Sequence, residues 1–480
     1  MPTFTISVTS TKVKLTAGTG TLAQLYADLY TLAGDAETYM SRTGSDPYVY
    51  EFKLNGGNYT EFEISNNVVV NQSNAGDELR WESIVTSSTY THLDVQDGGT
   101  FNVTGDDCIV DWDPAGTSRP YLFVYGSFNV QGSSGHEVIM RHYRSIYFYT
   151  RGHGSSWDYF KFQSDISYTS GYGIAVTGPN SSTRPAALSF TNGKVECTGA
   201  TESGYAMLWN TGTFFPNVTV DNVTFENHLY WLTSNCTFKM SNCTWKDIAK
   251  SYPRIYGGGK EQGGRYITSK TDPWSIAKGQ PKITFDTCVY DNNYDDTGSN
   301  YAFYEVGRGS VVFFKNCTFQ NAYRGVRVDD GGIAIHYNST FTNITNADKV
   351  WESGTGGTHL HARMLNLTVQ DADSQPIENA VCYLREKSNR DYFMIETNAS
   401  GEAKDLYGDD CILIEKEETS LGVFADWNDY ELIVSASGYV ADVSDLDPST
   451  GDISKTVVLG TNAPNQTTIY GSTIYGSTIY

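Results

Sequence analysis

The chain has 480 residues, a formal charge of −22, and 14% aromatic but only 18% charged residues. That length allows a large core and two or three domains. The acidic balance excludes recognition of nucleic-acid phosphates, which needs a basic face, and argues against an anionic membrane surface; no apolar run is long enough for membrane insertion.

The chain opens Met1-Pro-Thr-Phe-Thr-Ile-Ser-Val8, without the basic start and apolar run of a signal peptide. Residues 3–16 alternate as a strand pair. Thr21 to Leu32 reads as the one good helix, with Leu22, Leu25, Tyr26 and Leu29 on a single face. Thr21 and Gln24 have the spacing of a capping box, and Gly34 supplies a stop. Residues 1–46 are therefore expected to form N-terminal strands and a helix that lids the next domain. From 47 the strand seeds are Phe52-Lys-Leu, Val68-Val-Val, Phe101-Asn-Val, Leu122-Phe-Val and Phe128-Asn-Val, with an aromatic-rich stretch at 138–164.

Between Leu188 and Phe319 one pattern recurs five times, as in Val218-Thr-Val-Asp-Asn-Val-Thr-Phe225 and Val312-Phe-Phe-Lys-Asn-Cys-Thr-Phe319. Its starts at 188, 218, 238, 283 and 312 lie 30, 20, 45 and 29 residues apart. Each copy is a strand, a corner and a second strand, with alternate side chains facing one way. Stacking such units buries what one unit cannot. The 45-residue interval is two coils or one coil with an excursion at Gly257–Gly264. Stacking would align Asn192, Asn222, Asn242 and Asn316 at the corners, where Asn tolerates turn geometry. It would also align Cys243, Cys288 and Cys317, read as small buried hydrophobes, since no Cys-x-x-Cys metal pair occurs. Trp245 falls at an inward position.

These repeats predict an all-β protein with a parallel β-helix over 47–352. Ser353–Thr358 is Gly-rich and predicts a linker over 353–361. From 362 to 460 the grammar becomes that of hairpins: Leu365-Asn-Leu-Thr-Val, then Pro376-Ile-Glu-Asn-Ala-Val, Thr397-Asn-Ala-Ser-Gly401 and Tyr430-Glu-Leu-Ile-Val-Ser-Ala-Ser-Gly-Tyr439. Residues 461–480 carry a Thr-Ile-Tyr-Gly-Ser repeat, with Ile469, Tyr470, Ile474, Tyr475, Ile479 and Tyr480 as β-prone positions that could pair with other subunits.

The repeat region resembles the pectate-lyase-like right-handed parallel β-helix, a fold that includes polysaccharide lyases and hydrolases and many phage tail spikes. Residues 362–460 resemble the carboxypeptidase-regulatory-like, or transthyretin-like, β-sandwich, whose modules are mostly non-catalytic spacers or docking units. Membership of a fold does not give a reaction. Glycoside hydrolysis needs paired carboxyls, and the candidates are Asp329, Asp330, Glu305 and Asp286, although Asp before Gly is also ordinary turn chemistry. Asp291, Asn293 and Asp295 alternate oxygen-bearing side chains as Ca2+ ligands do, but neither the glycine nor a closing glutamate of an EF-hand loop is in place. Trp157, Trp209, Trp231 and Trp274 are candidates for stacking on sugar rings. His359 and His361 share a strand face at the domain joint.

The resemblances imply a non-catalytic structural or receptor-binding protein of a virion surface: a tail spike, fibre or capsid decoration. Its expected partners are two further copies in a homotrimer, other virion proteins and host surface polysaccharide. A polysaccharide depolymerase on the same scaffold and a cellular adhesin or filament subunit are the alternatives.

Overall fold

In the computed structural model of the chain, the described residues are 2–53, 61–81, 92–111, 121–141, 145–149, 154–164, 172–177, 187–197, 205–209, 217–226, 229–234, 237–246, 254–257, 283–291, 302–307, 311–322, 324–328, 332–344, 351–353, 357–387, 392–404, 408–420, 423–427 and 429–461. The protein is nearly all β, with one α-helix, Leu22–Leu32, among the described residues.

Strand Thr5–Val8 pairs antiparallel with Lys12–Thr21, as the alternation predicts. Thr21 caps the helix through a complete capping box with Gln24. Leu22, Leu25 and Leu29 are buried in the main core, and Gly34 turns the chain at φ +70°.

After an antiparallel pair, Met40–Gly44 with Tyr48–Phe52, the strands to residue 361 form three columns of parallel strands, each strand pairing with one about 20–50 residues further along. One column runs through Val68–Gln72, Thr100–Val103, Ser127–Gln131, Ser155–Asp158 and the first half of Ala187–Cys197. It continues in register as Leu188↔Val218↔Phe238↔Ile283↔Val312↔Ala334↔His359. The five motif starts thus occupy one row. Phe238 pairs directly with Ile283, so the long interval is one winding carrying an insertion.

The second column aligns a dry row: Tyr50, Leu79, Val110, Met140, Phe162, Val195, Phe225, Trp245, Tyr290 and Phe319. Trp245 and Tyr290 stack at 4.6 Å, and Tyr290 and Phe319 at 4.7 Å. The corners form a ladder too. Asn192, Asn222, Asn242 and Asn316 all have φ near +50°, a left-handed turn that Asn accepts more readily than most residues. The Asn222 amide donates to Asn192 Oδ1 at 2.8 Å, and Asn338 donates to Asn316 Oδ1 at 3.1 Å. Inside the corner, Cys243, Cys288 and Cys317 are free and buried. Each thiol donates to a carbonyl of the preceding winding, those of Val220, Met240 and Phe285. Burial pushes the Cys243 and Cys288 thiols well above their ordinary range, so they stay protonated.

The linker expected at 353–361 gives way to a strand at its end. Thr358–Asp371 is continuous: its first part pairs parallel with Ile333–Tyr337, and its second pairs parallel with Ile453–Leu459. A hinge there would leave ladder groups of the last winding unpaired, so one strand serves both regions. The C-terminal region has two sheets. One holds Thr358–Asp371, Cys411–Ser420 and Ile453–Leu459. The other is antiparallel, in the order Tyr392–Glu396, Val381–Glu386, Tyr430–Ser435, Asp442–Leu446. Their shared core also takes in Phe313, Ile333, Ile335 and Leu360 from the outer face of the last windings. Lys239 and Lys315 pair with Asp409 across the join.

Candidate functional site

The third column starts with Lys12–Thr21 and continues through Glu61–Ile64, His92–Val95, Tyr121–Val124 and Ser145–Tyr149. Strand alternation sends Phe62, Ile64, Leu93, Val95, Leu122, Val124, Ile146 and Phe148 inward, where all are buried. The intervening residues face out in register. Lys12, Glu61 and His92 form one row. Lys14, Glu63, Asp94, Phe123 and Tyr147 form the next. The outer face therefore changes from ionic to aromatic along the stack.

At the ionic end Lys12 contacts Glu61 and lies 2.7 Å from Glu63, which also takes Lys14 at 2.7 Å. Burial works against the Glu63 charge, but the hydrogen bonds from Lys12, Lys14 and Ser65 outweigh it and hold the carboxyl below its ordinary range. His92 Nε2 lies 3.6 Å from Glu61 Oε2 and 3.8 Å from Asp94 Oδ1. Asp94 is only 8% exposed. Burial, then the neighbouring Glu61 carboxylate, push it up to about 7. Gln96 donates to Asp94 Oδ2 at 3.3 Å, while Oδ1 has no hydrogen-bond partner among the described residues.

The His92 ring meets Phe123 edge-on at 5.4 Å, and there the aromatic strip begins. Phe123 stacks on Tyr147 at 5.5 Å, and Tyr125 on Tyr149 at 4.8 Å. All four are half-buried, with side chains on the exterior. A ring with one apolar face and hydroxyls at its edge suits a surface with π faces at one end and fixed polar groups at the other.

The residues singled out from the sequence lie elsewhere. Trp157 is fully buried; its indole N–H donates to the Phe128 carbonyl at 3.0 Å, and its ring packs against Phe128, Phe148 and Phe190. It is a core residue and no glycan contact, because it shares an inward row with Val130 and Phe190. Trp245 is in the core as expected. Asp286 accepts from Lys315 Nζ at 3.0 Å, which makes it a member of a corner ion pair. Asp291 accepts from Asn321 at 2.8 Å and Gln320 at 3.0 Å, one amide on each oxygen, so it belongs to a ladder between neighbouring strands. Glu305 aligns with Arg254 and Arg327 in backbone register; its side chain lies outside the described residues, as do those of Trp209 and Trp231. Asn293, Asp295, Asp329, Asp330, Trp274 and the tail positions Ile469, Tyr470, Ile474, Tyr475, Ile479 and Tyr480 also lie outside them.

Sequence reasoning missed the outer face of the third column. Its signal is a set of paired polar or aromatic residues two apart: Lys12 and Lys14, Glu61 and Glu63, His92 and Asp94, Phe123 and Tyr125, Tyr147 and Tyr149. No repeated punctuation marks those strands, so their register is invisible until the coils are aligned.

Compared with known proteins, the chain matches no family model, no curated protein and no solved structure. Among the described residues, no helix is long and apolar enough to cross a membrane.

Proposed function

We propose that this chain is a non-catalytic, receptor-binding protein of a virion surface that holds host polysaccharide against the strip Phe123, Tyr125, Tyr147 and Tyr149. The observation that carries this reading is the strip itself: four stacked, half-buried aromatic rings on the exterior of a parallel column. In this reading residues 47–352 are a right-handed parallel β-helix. Three parallel columns support the helix, and the strong right-handed preference of parallel crossovers supports its hand. The two C-terminal sheets act as a transthyretin-like docking module, and three copies associate through the 461–480 tail. Removing 466–480 should lower the oligomer mass and leave the monomer folded; unchanged mass would end the assembly part of the reading.

The test is binding of the full chain to purified surface polysaccharides by glycan array and calorimetry. Tyr147→Ala with Tyr149→Ala should weaken binding at least tenfold, about 1.4 kcal/mol or more, with an unchanged circular dichroism spectrum. Equal binding by the double variant would refute the reading.

One observation favours a second reading, polysaccharide cleavage: Glu61 and Asp94 share one cluster with His92. One oxygen of each lies within 4.8 Å of the other, closer than the roughly 5–10 Å that hydrolytic carboxyl pairs span. The non-catalytic reading is therefore preferred. Release of reducing ends by the wild-type chain but not by Glu61→Gln would reverse that preference.

A further inference from the structure

We propose that Glu61, His92 and Asp94 form a binding site for one divalent cation of the zinc type. The site stands independently of the carbohydrate reading.

Three observations converge on it. One ligand atom from each of Glu61, His92 and Asp94 lies within 4.8 Å of the others. The imidazole-to-carboxylate separations are 3.6 and 3.8 Å. Bonds of about 2.1 Å in a tetrahedron place ligands about 3.4 Å apart, so each imidazole-to-carboxylate edge needs to close by only a few tenths of an ångström. An octahedral ion of similar bond length needs edges of about 3.0 Å and fits less well.

The second observation is independent of the clustering. Asp94 is 8% exposed as a residue and 11% at its side chain, yet its Oδ1 has no hydrogen-bond partner among the described residues and faces the cluster. Buried carboxylate oxygens without donors are costly, and a cation is the partner such an oxygen needs. The third is outer support. Gln96 Nε2 holds Asp94 Oδ2, and Lys12 holds Glu61 Oε1, which leaves the other oxygen of each carboxylate aimed at His92. Such support commonly orients metal ligands. Lys12 is shared with Glu63, which Lys14 also neutralises, so its positive charge does not fall on the cluster alone.

Donor chemistry selects the ion. Imidazole with two carboxylates suits zinc, cobalt or manganese, whereas calcium and magnesium prefer oxygen alone. Three protein ligands leave a fourth position open, the arrangement of zinc sites that bind water or an exogenous ligand.

The experiment titrates ZnCl2 into EDTA-stripped full-length chain at pH 7.5 by calorimetry. One saturable zinc per chain is expected, with calcium and magnesium binding at least about 100-fold more weakly. His92→Ala should weaken zinc binding by at least about 100-fold and Gln96→Ala by about tenfold, whereas His136→Ala, at an exposed imidazole elsewhere, should leave it unchanged. Absence of saturable binding, or binding that survives His92→Ala, would overturn the site. If His92→Ala does not fold, the Co2+ spectrum of the unsubstituted chain decides. The intense visible bands of a four- or five-coordinate ion are expected, and the weak bands of a six-coordinate ion would refute the proposal.

Discussion

The middle of the stack and its C-terminal end fill the same inward register with different chemistry. In the middle, Phe285 and Phe314 stack face to face at 5.3 Å, wholly apolar. One winding later the position belongs to His336, whose ring lies 5.2 Å from Phe314 at 14° and 5.5 Å from His359 at 8°. The stacking geometry persists while the group changes from hydrocarbon to titratable. Both His336 ring nitrogens are buried without hydrogen-bond partners among the described residues. The inward row of the middle is thus purely apolar, whereas that of the end, where the second core begins, is stable only while its imidazoles stay neutral.

The largest effect should come from the middle. Phe314→Ala removes a fully buried ring between two stacked neighbours, in a wall too tightly paired to collapse. A loss of about 3–5 kcal/mol is expected in denaturant unfolding. A loss below about 1 kcal/mol would mean that the row does not share one interior.

The end should differ in kind. Burial, with His361 nearby, brings His336 down to about 3 from an ordinary 6.5, and burial also holds His359 low. The folded state therefore binds protons less readily than the unfolded chain. Stability from the neutral rings is fully present above pH 6.5 and is lost as pH falls from 6.5 towards 3. At pH 4 the His336 contribution to that loss is about 3 kcal/mol. His336→Phe should flatten this dependence and lower the acid-unfolding midpoint. Parallel pH profiles for wild type and His336→Phe would show that the end is held as the middle is.

This contrast also explains what was legible beforehand. The parallel strands from Leu188 to Phe319 could be read because every corner repeats Asn or Thr followed by a small or apolar residue, and the structure puts the motif starts in one row. The helix could be read because its cap and apolar face lie within twelve consecutive residues. The ionic and aromatic face could not, because its members lie about 30 residues apart on strands with irregular corners. Trp157 misled because residue type says nothing of facing: the Ser155-Ser156-Trp157 alternation hides which side is dry. The Gly-rich run at 353–358 misled because composition marks a break, whereas the strand starting at Thr358 is needed by both cores.

The corners should respond less than the core. Asn222 holds φ +52° and donates its amide to Asn192, so Asn222→Ala adds left-handed strain and strands an acceptor. A loss of about 1–2 kcal/mol is expected. Asn222→Gly should recover the backbone part and leave only the lost hydrogen bond, which separates the two causes.

The N-terminal end gives the smallest effect and sharpens the contrast between ends. There the stack is met by a helix whose Leu22, Leu25 and Leu29 join the core directly, with no imidazole between them among the described residues. Thr21 accepts from the Gln24 N–H, and the Gln24 side chain accepts from the Thr21 N–H. Thr21→Ala breaks the first bond and leaves the apolar face intact, so about 1 kcal/mol should be lost. Because neither partner titrates, that loss should be the same at pH 4 and pH 7. A cap effect that grew on acidification would mean that the helix cap is coupled to a titrating group and that the two ends respond to protons together.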